Sequence, residues 1–399
     1  MRQVHLIAIL LFPVIFTIPM ENMMMIEGLG TLNRLLGLAV APAVVFIVLS
    51  SGRINGMVYV TALCALALIV YAGFAIAWAP DMQRAFISWF SLVQVMAMAF
   101  MIILAGMRFG LGVVCLPYVL GSLYGALTVI YHGLTSESIR RIVVENFNPN
   151  WMSFLLVMSG VCIFVLLDSA GFKARLFYFL SWCLVGMAVF LLGSRGGMAF
   201  FLLMSLALMA RLSLGYKLAF LVPLAATLMV FNLFVQADIE GLMMRFASAG
   251  DLILSGDFSG RGAIWGQGMA ELGNPLFGAG LSGFNEIVGR APHNAFLALF
   301  FNLGMLGLLL FLTLWGLLLF LFYRLQGYRL ACLLLCLSLL VPLTMANWEF
   351  HKGLWFAFAA LFVFALERQV EADAEEVPET RQQAEGRDAG PLPNEYQLV

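Results

Sequence analysis

AFLALFFNLGMLGLLLFLTLWGLLLFLF, residues 295–322, contains no charged side chain. About 20 apolar residues suffice for a helix to cross the hydrocarbon core of a bilayer, and this run exceeds that length. The rest of the chain agrees. Of 399 residues, 63% are hydrophobic and 11% charged, against roughly a quarter charged in soluble domains, and the mean hydropathy is +0.98. The expectation is an all-α, polytopic membrane protein.

Working outward from 295–322, eleven further apolar runs lie near 4–20, 32–50, 57–79, 85–106, 109–131, 151–167, 174–193, 196–211, 216–235, 329–346 and 352–366. That makes about twelve expected spans. The fourth and fifth are split only by Arg108, and the seventh and eighth only by Gly193-Ser194-Arg195-Gly196-Gly197. The chain divides into transmembrane helices over 1–235, a polar interval over 236–294, a second transmembrane group over 295–366 and a tail over 367–399. The tail, ERQVEADAEEVPETRQQAEGRDAGPLPNEYQLV, is acidic and nearly devoid of apolar residues, and it reads as disordered. The N-terminal MRQVHLIAILLFPVIFTIPMEN lacks a small-residue cleavage site and reads as a first spanning helix.

Loop charges orient the spans. Arg53, Arg108, Lys173, Arg175, Arg211, Lys217, Arg324 and Arg329 fall in one set of loops, opposed only by Asp168. The alternate loops mix signs. Basic residues mark the cytoplasmic side, so both termini are expected inside. The 236–294 interval then faces outward, the periplasm in a bacterium, as a large loop containing short interfacial helices. The net charge of −1 is segregated by loop, and no nucleic-acid partner is expected. All six cysteines sit in apolar runs, so packing explains them better than disulfides or metal binding.

Three residues stand out as carriers of chemistry. His293 lies in PHN at 292–294, directly before the apolar helix. Asn294 is a good N-cap for that helix, which places His293 beside the positive end of a helix dipole, where the ring stays neutral and can accept a proton. The same N-terminus attracts anions such as phosphate. A histidine that only hydrogen-bonds at an interface fits the same pattern. Arg195, in GSRGG, has no carboxylate within twenty residues in sequence; an anion supplied from elsewhere and a snorkelling interfacial side chain are the two readings. Arg261 lies in SGRGAIWGQGMAELG, residues 259–273. Ser259 or Gly260 is placed to cap a short helix through Leu272, presenting Ile264, Trp265 and Met269 to the bilayer surface and Arg261 at its first turn. A guanidinium fork binds pyrophosphate oxygens bidentately.

Arg245 and Arg290 are secondary candidates, with pairing to a nearby carboxylate the simpler account of both. Trp265 and Asn294 join that second tier. Gly278, Gly280 and Gly283 imitate a phosphate-cradling loop without the strand it requires, and 274–287 reads as an irregular loop near the membrane. Gln94 and Asn302 read as helix-packing groups, and Trp348, Glu349, His351 and Lys352 as an aromatic-belt corner. No His/Asp/Glu cluster has metal-ligand spacing, so neither a metal nor another cofactor is expected. Intramembrane ionisable residues are too few for an ion relay.

Read together, GSRGGMAFF (193–201), GRGAIWGQG (260–268) with NPLFGAGLSGF (274–284), and PHNAFLALFFNLGMLGLLLFL (292–312) resemble blocks of the bacterial O-antigen ligase and polymerase family. NPNWMSFLL (148–156) is also similar to a segment of that family. The resemblance covers about 148–312; the first five spans match in hydropathy alone. It implies an inner-membrane glycosyltransferase of lipopolysaccharide biosynthesis that moves a glycan from undecaprenyl pyrophosphate to an acceptor without metal. Arg195 and Arg261 would hold the pyrophosphate, and His293 would be the general base. A ligase uses lipid A–core as acceptor. A polymerase extends a carrier-linked chain, and a third group modifies pilin; the lack of a clean second arginine motif favours the ligase. A lipid-linked glycan transporter is the alternative of another class.

Overall fold

The computed structural model describes residues 2–26, 30–49, 55–135, 148–218 and 261–388. Arg245, the caps expected at Ser259 or Gly260 and nearly all of the span at 216–235 lie outside them. The helices are α1 (Arg2–Phe16), α2 (Leu32–Leu49), α3 (Gly56–Phe74), α4 (Met82–Phe109), α5 (Leu111–Thr135), α6 (Pro149–Val157), α7 (Ser159–Leu166), α8 (Phe172–Leu191) and α9 (Arg195–Arg211). After the undescribed stretch come α10 (Arg261–Glu271), α11 (Gly283–Val288), α12 (Ala295–Arg324), α13 (Arg329–Met345) and α14 (Lys352–Asp388). A two-residue antiparallel ladder, Met25–Ile26 against Gly30–Thr31, is the only strand pairing among the described residues.

Short polar side chains decide where several helices begin. Asn55, Asp81, Asn148, Ser194 and Asn294 each accept a backbone N–H of the first turn, satisfying donors that have no partner inside the helix. The joint between α4 and α5 falls at Gly110, whose φ is 90°, two residues beyond the Arg108 that marks it in the sequence.

Eight helices among the described residues are long and apolar enough to cross a membrane, and α1 and α2 hold shorter apolar stretches. Large apolar side chains such as Leu63, Leu66, Phe74, Phe86, Leu309 and Leu333 are exposed around the perimeter. An apolar exterior of that extent suits lipid rather than water, and the protein is membrane-embedded. The interior is built around α6, α7 and the first half of α14. Residues 354–366 are buried without exception, and α14 packs on α4, α5, α7 and α12. Tyr118 stacks on Phe356 with ring centroids 4.5 Å apart and donates its hydroxyl to Leu155 O at 3.0 Å, tying α5 to both.

The tail expected to be disordered over 367–399 is helical as far as it is described: α14 continues to Asp388, and 389–399 lie outside the described residues. Its Glu, Ala, Arg and Gln residues are strong helix formers. Contacts to the bundle hold the first exposed turns in register. Arg368 pairs with Asp168 at 3.0 Å and with Glu371 one turn on, and Gln369 Nε2 donates to Leu321 O at 3.1 Å.

One end of the bundle gathers the inter-helix segments around Glu21, Asp81, Arg195, 261–294 and 346–351. Lys352 pairs with Glu21, and Arg84 pairs with Glu286 at 2.6 Å. The opposite end holds Asp168, Arg211, Tyr328 and Arg368 in one ion-pair network.

Candidate functional site

The segment 261–294 is folded onto the bundle. Helix α12 breaks at Gly304, whose φ is 65°, and residues 275–279 are laid into the gap. Met305 N donates to Pro275 O at 2.9 Å, and Ala279 N donates to Phe301 O at 2.8 Å. Tyr71 Oη reaches Leu303 O at 2.7 Å. Backbone groups freed by the break are thus satisfied by protein, as a membrane interior demands. A Cβ on Gly304 would lie 2.2 Å from Leu276 O, and one on Gly278 would lie 2.5 Å from Gly304 N. Gly278, and Gly280 with a Cβ that would lie 2.4 Å from Ala79 Cα, therefore seat the segment on protein.

From that seat the chain turns into α11, so the irregular loop expected over 274–287 is helical in its second half. Asn302, anticipated only as a packing group, accepts from Phe284 N at 2.9 Å. Phe284 meets Phe301 edge-on at 4.9 Å. Ser282 bonds Ser88 of α4 at 2.8 Å.

On α10, Arg261, Trp265 and Gly268 are spaced i, i+4, i+7 and share one face. A Cβ on Gly268 would meet the Phe284 ring at 2.4 Å, so this face lies against α11. Trp265 Nε1 donates to Pro292 O at 2.7 Å. This corrects the expected bilayer contact of Trp265: the indole is turned inward and clamps α10 to the residue preceding His293. Met269 remains exposed and Ile264 is half-buried.

Asn294 caps α12 as the sequence implies, its Oδ1 accepting from Phe296 N at 3.0 Å and Leu297 N at 3.1 Å. His293 stands just outside the cap with φ at 51°. The only non-glycine residues with positive φ among those described are Ser282 and His293, and both belong to this segment. Such strain persists where surrounding contacts over-determine it, and it concentrates at functional sites.

Electrostatics link the three principal candidates. Arg195 opens α9 and Arg261 opens α10, close enough that the Arg195 charge, after burial, helps to lower the Arg261 pKa. The His293 pKa is lowered first by burial and then by Arg261. Although His293 keeps solvent access, the protein around it and the nearby guanidinium both disfavour the imidazolium. Two cations and a neutral imidazole therefore meet at one end of the bundle. Arg290 is exposed on the outer side of the segment.

An apolar cavity of about 550 Å³ runs between α8 and α9. Phe190 and Met198 line it near Arg195, Trp182 and Phe201 stack at 4.6 Å along it, and Leu167 and Arg175 lie at its other end. A cavity of about 150 Å³ with a mixed lining lies behind Pro292, bordered by Ser88, Asn285, Asn347 and Glu349 and by Phe284 and Phe350. A larger one of about 370 Å³ shares Ser88, Asn347 and Phe350 with it.

The corner at 346–352 is a further correction. An aromatic belt would expose it, yet Trp348, Glu349 and His351 are all buried. Trp348 stacks on His351 at 4.5 Å and Trp151 meets His351 edge-on at 5.3 Å. Burial raises the Glu349 pKa to about 8 and lowers that of His351 to about 4. Nothing local in ANWEFHK marks these residues as internal; neighbours from distant helices enclose them. Among the described residues, no three His, Cys, Asp or Glu side chains converge as a metal site would require. Neither a protein-family model nor a curated protein sequence matches the chain.

Proposed function

We propose that this protein is a membrane glycosyltransferase of the O-antigen ligase type, taking a glycan from an undecaprenyl-pyrophosphate carrier to an acceptor hydroxyl on lipid A–core. The observation that carries this reading is the electrostatic chain Arg195–Arg261–His293. Like-charged arginines held together favour an anion between them, and their forks suit the paired phosphates of a pyrophosphate.

In the reaction, neutral His293 takes the proton of the acceptor hydroxyl as its oxygen attacks the anomeric carbon. The carbon–oxygen bond to pyrophosphate breaks, and the electron pair leaves on the phosphate oxygen. Arg195 and Arg261 stabilise that developing charge, and direct displacement inverts the anomeric centre. A positioned base contributes about 10²–10⁴-fold, and electrostatic stabilisation of the leaving group contributes at least comparably. The apolar cavity beginning near Arg195 supports the reading, because an isoprenoid tail needs such a channel beside its pyrophosphate. The basic residues of the opposite end support a site facing the periplasm, since cytoplasmic loops carry the excess of Lys and Arg.

The test is glycan attachment in a deletion strain carrying His293→Ala or Arg195→Ala. Both variants are expected to lose attachment at normal protein levels, and full attachment in both would overturn the assignment. Purified protein in detergent separates transfer, which needs no sealed membrane, from transport, which does.

A further inference from the structure

Glu349 is 5% exposed, and its Oε2 has no hydrogen-bond partner within the protein. The Asn347 Oδ1, two residues away, is buried and without a partner as well. Native proteins rarely leave such atoms unmatched, since each costs the desolvation of a polar group. Both residues border the 150 Å³ cavity behind Pro292, next to the residue read as the base. A cavity of that volume admits a benzene-sized ring, and the wall of this one sets Ser88, Asn285, Asn347 and Glu349 beside Phe284 and Phe350.

The lining decides what kind of ring. The small cavity has no lysine, arginine or histidine in its wall, so Glu349 has no counter-cation there and is held as the neutral acid. A neutral carboxyl both donates and accepts, as a hydroxyl does, while Asn347 Oδ1 requires a donor. The adjoining 370 Å³ cavity adds Gln94, Ser91 and the Trp151 ring. Its charged groups are the Glu21–Lys352 pair, which neutralises itself, and Arg34, an exposed side chain whose guanidinium lies over the Phe90 ring. In the small cavity, planar amides, a protonated carboxyl and the Phe284 and Phe350 rings match an uncharged, hydroxyl-bearing ring better than an anion or a metal ion.

We infer that the two adjoining cavities behind Pro292 form a saccharide subsite, in which Glu349 and Asn347 hold hydroxyls of the acceptor sugar and direct it toward His293. This assignment to the acceptor rests on the glycosyltransferase reading; the binding of a neutral sugar does not.

The experiment uses the full chain in detergent, with tryptophan fluorescence titrated by free D-glucose, D-galactose, D-mannose, L-rhamnose and N-acetylglucosamine. At least one sugar is expected to give a saturable change. Glu349→Leu, which keeps the volume and removes the hydrogen bonds, should weaken it about tenfold, the size of one lost buried bond. Glu349→Gln should stay within about threefold of the wild type. If Glu349→Leu does not fold, Asn347→Ala carries the test, because its amide oxygen supports no bond inside the protein; a several-fold weakening is expected. Absence of a saturable response from every sugar, or equal affinity in all variants, would overturn the subsite and mark the cavities as water-filled. Transfer that persists while sugar binding is absent leaves the enzyme reading standing without the subsite. Glu349-dependent binding without any transfer from a carrier-linked donor leaves the subsite and removes the enzyme reading.

Discussion

At the scale of single residues, His293 and Glu349 show one force producing opposite outcomes. Burial disfavours whichever form is charged, so it lowers the histidine pKa and raises that of the carboxyl. Replacing Arg261 by Gln removes a neighbouring positive charge, and the His293 pKa should move up toward 6.5, as read by NMR of the ring protons. An unchanged value would mean that Arg261 does not act on the ring. His293→Ala should lower kcat about 10²–10⁴-fold in a detergent transfer assay with little change in donor KM. Stability should also depend on pH in a definite way. Glu349 titrates near 8 in the fold against 4.5 unfolded, so folding takes up a proton between those values and stability falls as pH rises through about 8. His351, near 4 in the fold against 6.5 unfolded, contributes stability above 6.5 that is lost as pH falls through about 4. The two slopes oppose each other between about 4.5 and 6.5, leaving the Glu349 slope from there to about 8. Thermal unfolding against pH should show that decline, and Glu349→Gln should flatten it.

At the scale of elements, the break in α12 governs the site. Gly304→Ala forces a side chain into an extended positive-φ backbone (φ 65°, ψ −169°) open essentially only to glycine, costing roughly 1–3 kcal/mol, and drives Cβ against Leu276 O. The expected result is a lower unfolding temperature together with lost transfer, because the 275–279 insert carries α11 and the approach to His293. Trp265→Phe is gentler. It keeps the ring and deletes the bond to Pro292 O, worth about 0.5–1.5 kcal/mol net. Activity should fall more than stability does, since α10 would no longer hold Arg261 against His293; equal losses would point to a purely structural tryptophan. The cap at Asn294 was legible beforehand, because a cap is a local event written in two or three residues. The α12 break was not, because Gly304 sits in an apolar run where glycine is common and only the inserted 275–279 backbone explains it.

At the scale of the whole molecule, two ends of unlike character are joined by an apolar bundle. The Asp168–Arg211–Arg368 network should matter more to stability than the ion pairs at the opposite end of the bundle. The Arg211 side chain is 3% exposed beside Asp168, whereas Arg84 is 65% exposed beside Glu286. Breaking a buried pair by removing one partner costs about 3–5 kcal/mol, and an exposed pair is worth about 0–1. Asp168→Ala should therefore lower the unfolding temperature far more than Glu286→Ala. A reversed order would show that Arg211 is held by its aromatic neighbours Phe164, Tyr328 and Phe364 rather than by the carboxylate. Orientation is tested by C-terminal fusions: a fluorescent protein should glow and alkaline phosphatase should stay inactive if the C-terminus is cytoplasmic.

The amino-acid sequence alone determined that this is a helical membrane protein and where several helices start, since apolar length, loop charge and capping are properties of consecutive residues. It also singled out Arg195, Arg261 and His293, because an arginine between glycines and a histidine before a cap are locally conspicuous. Tertiary structure decided what faces inward. Trp265 turned from the bilayer to Pro292, the 346–352 corner became interior, and α14 kept its helix past 366 through Arg368 and Gln369. Those outcomes depend on partners tens to hundreds of residues away, and burial exists only once distant segments close around a side chain.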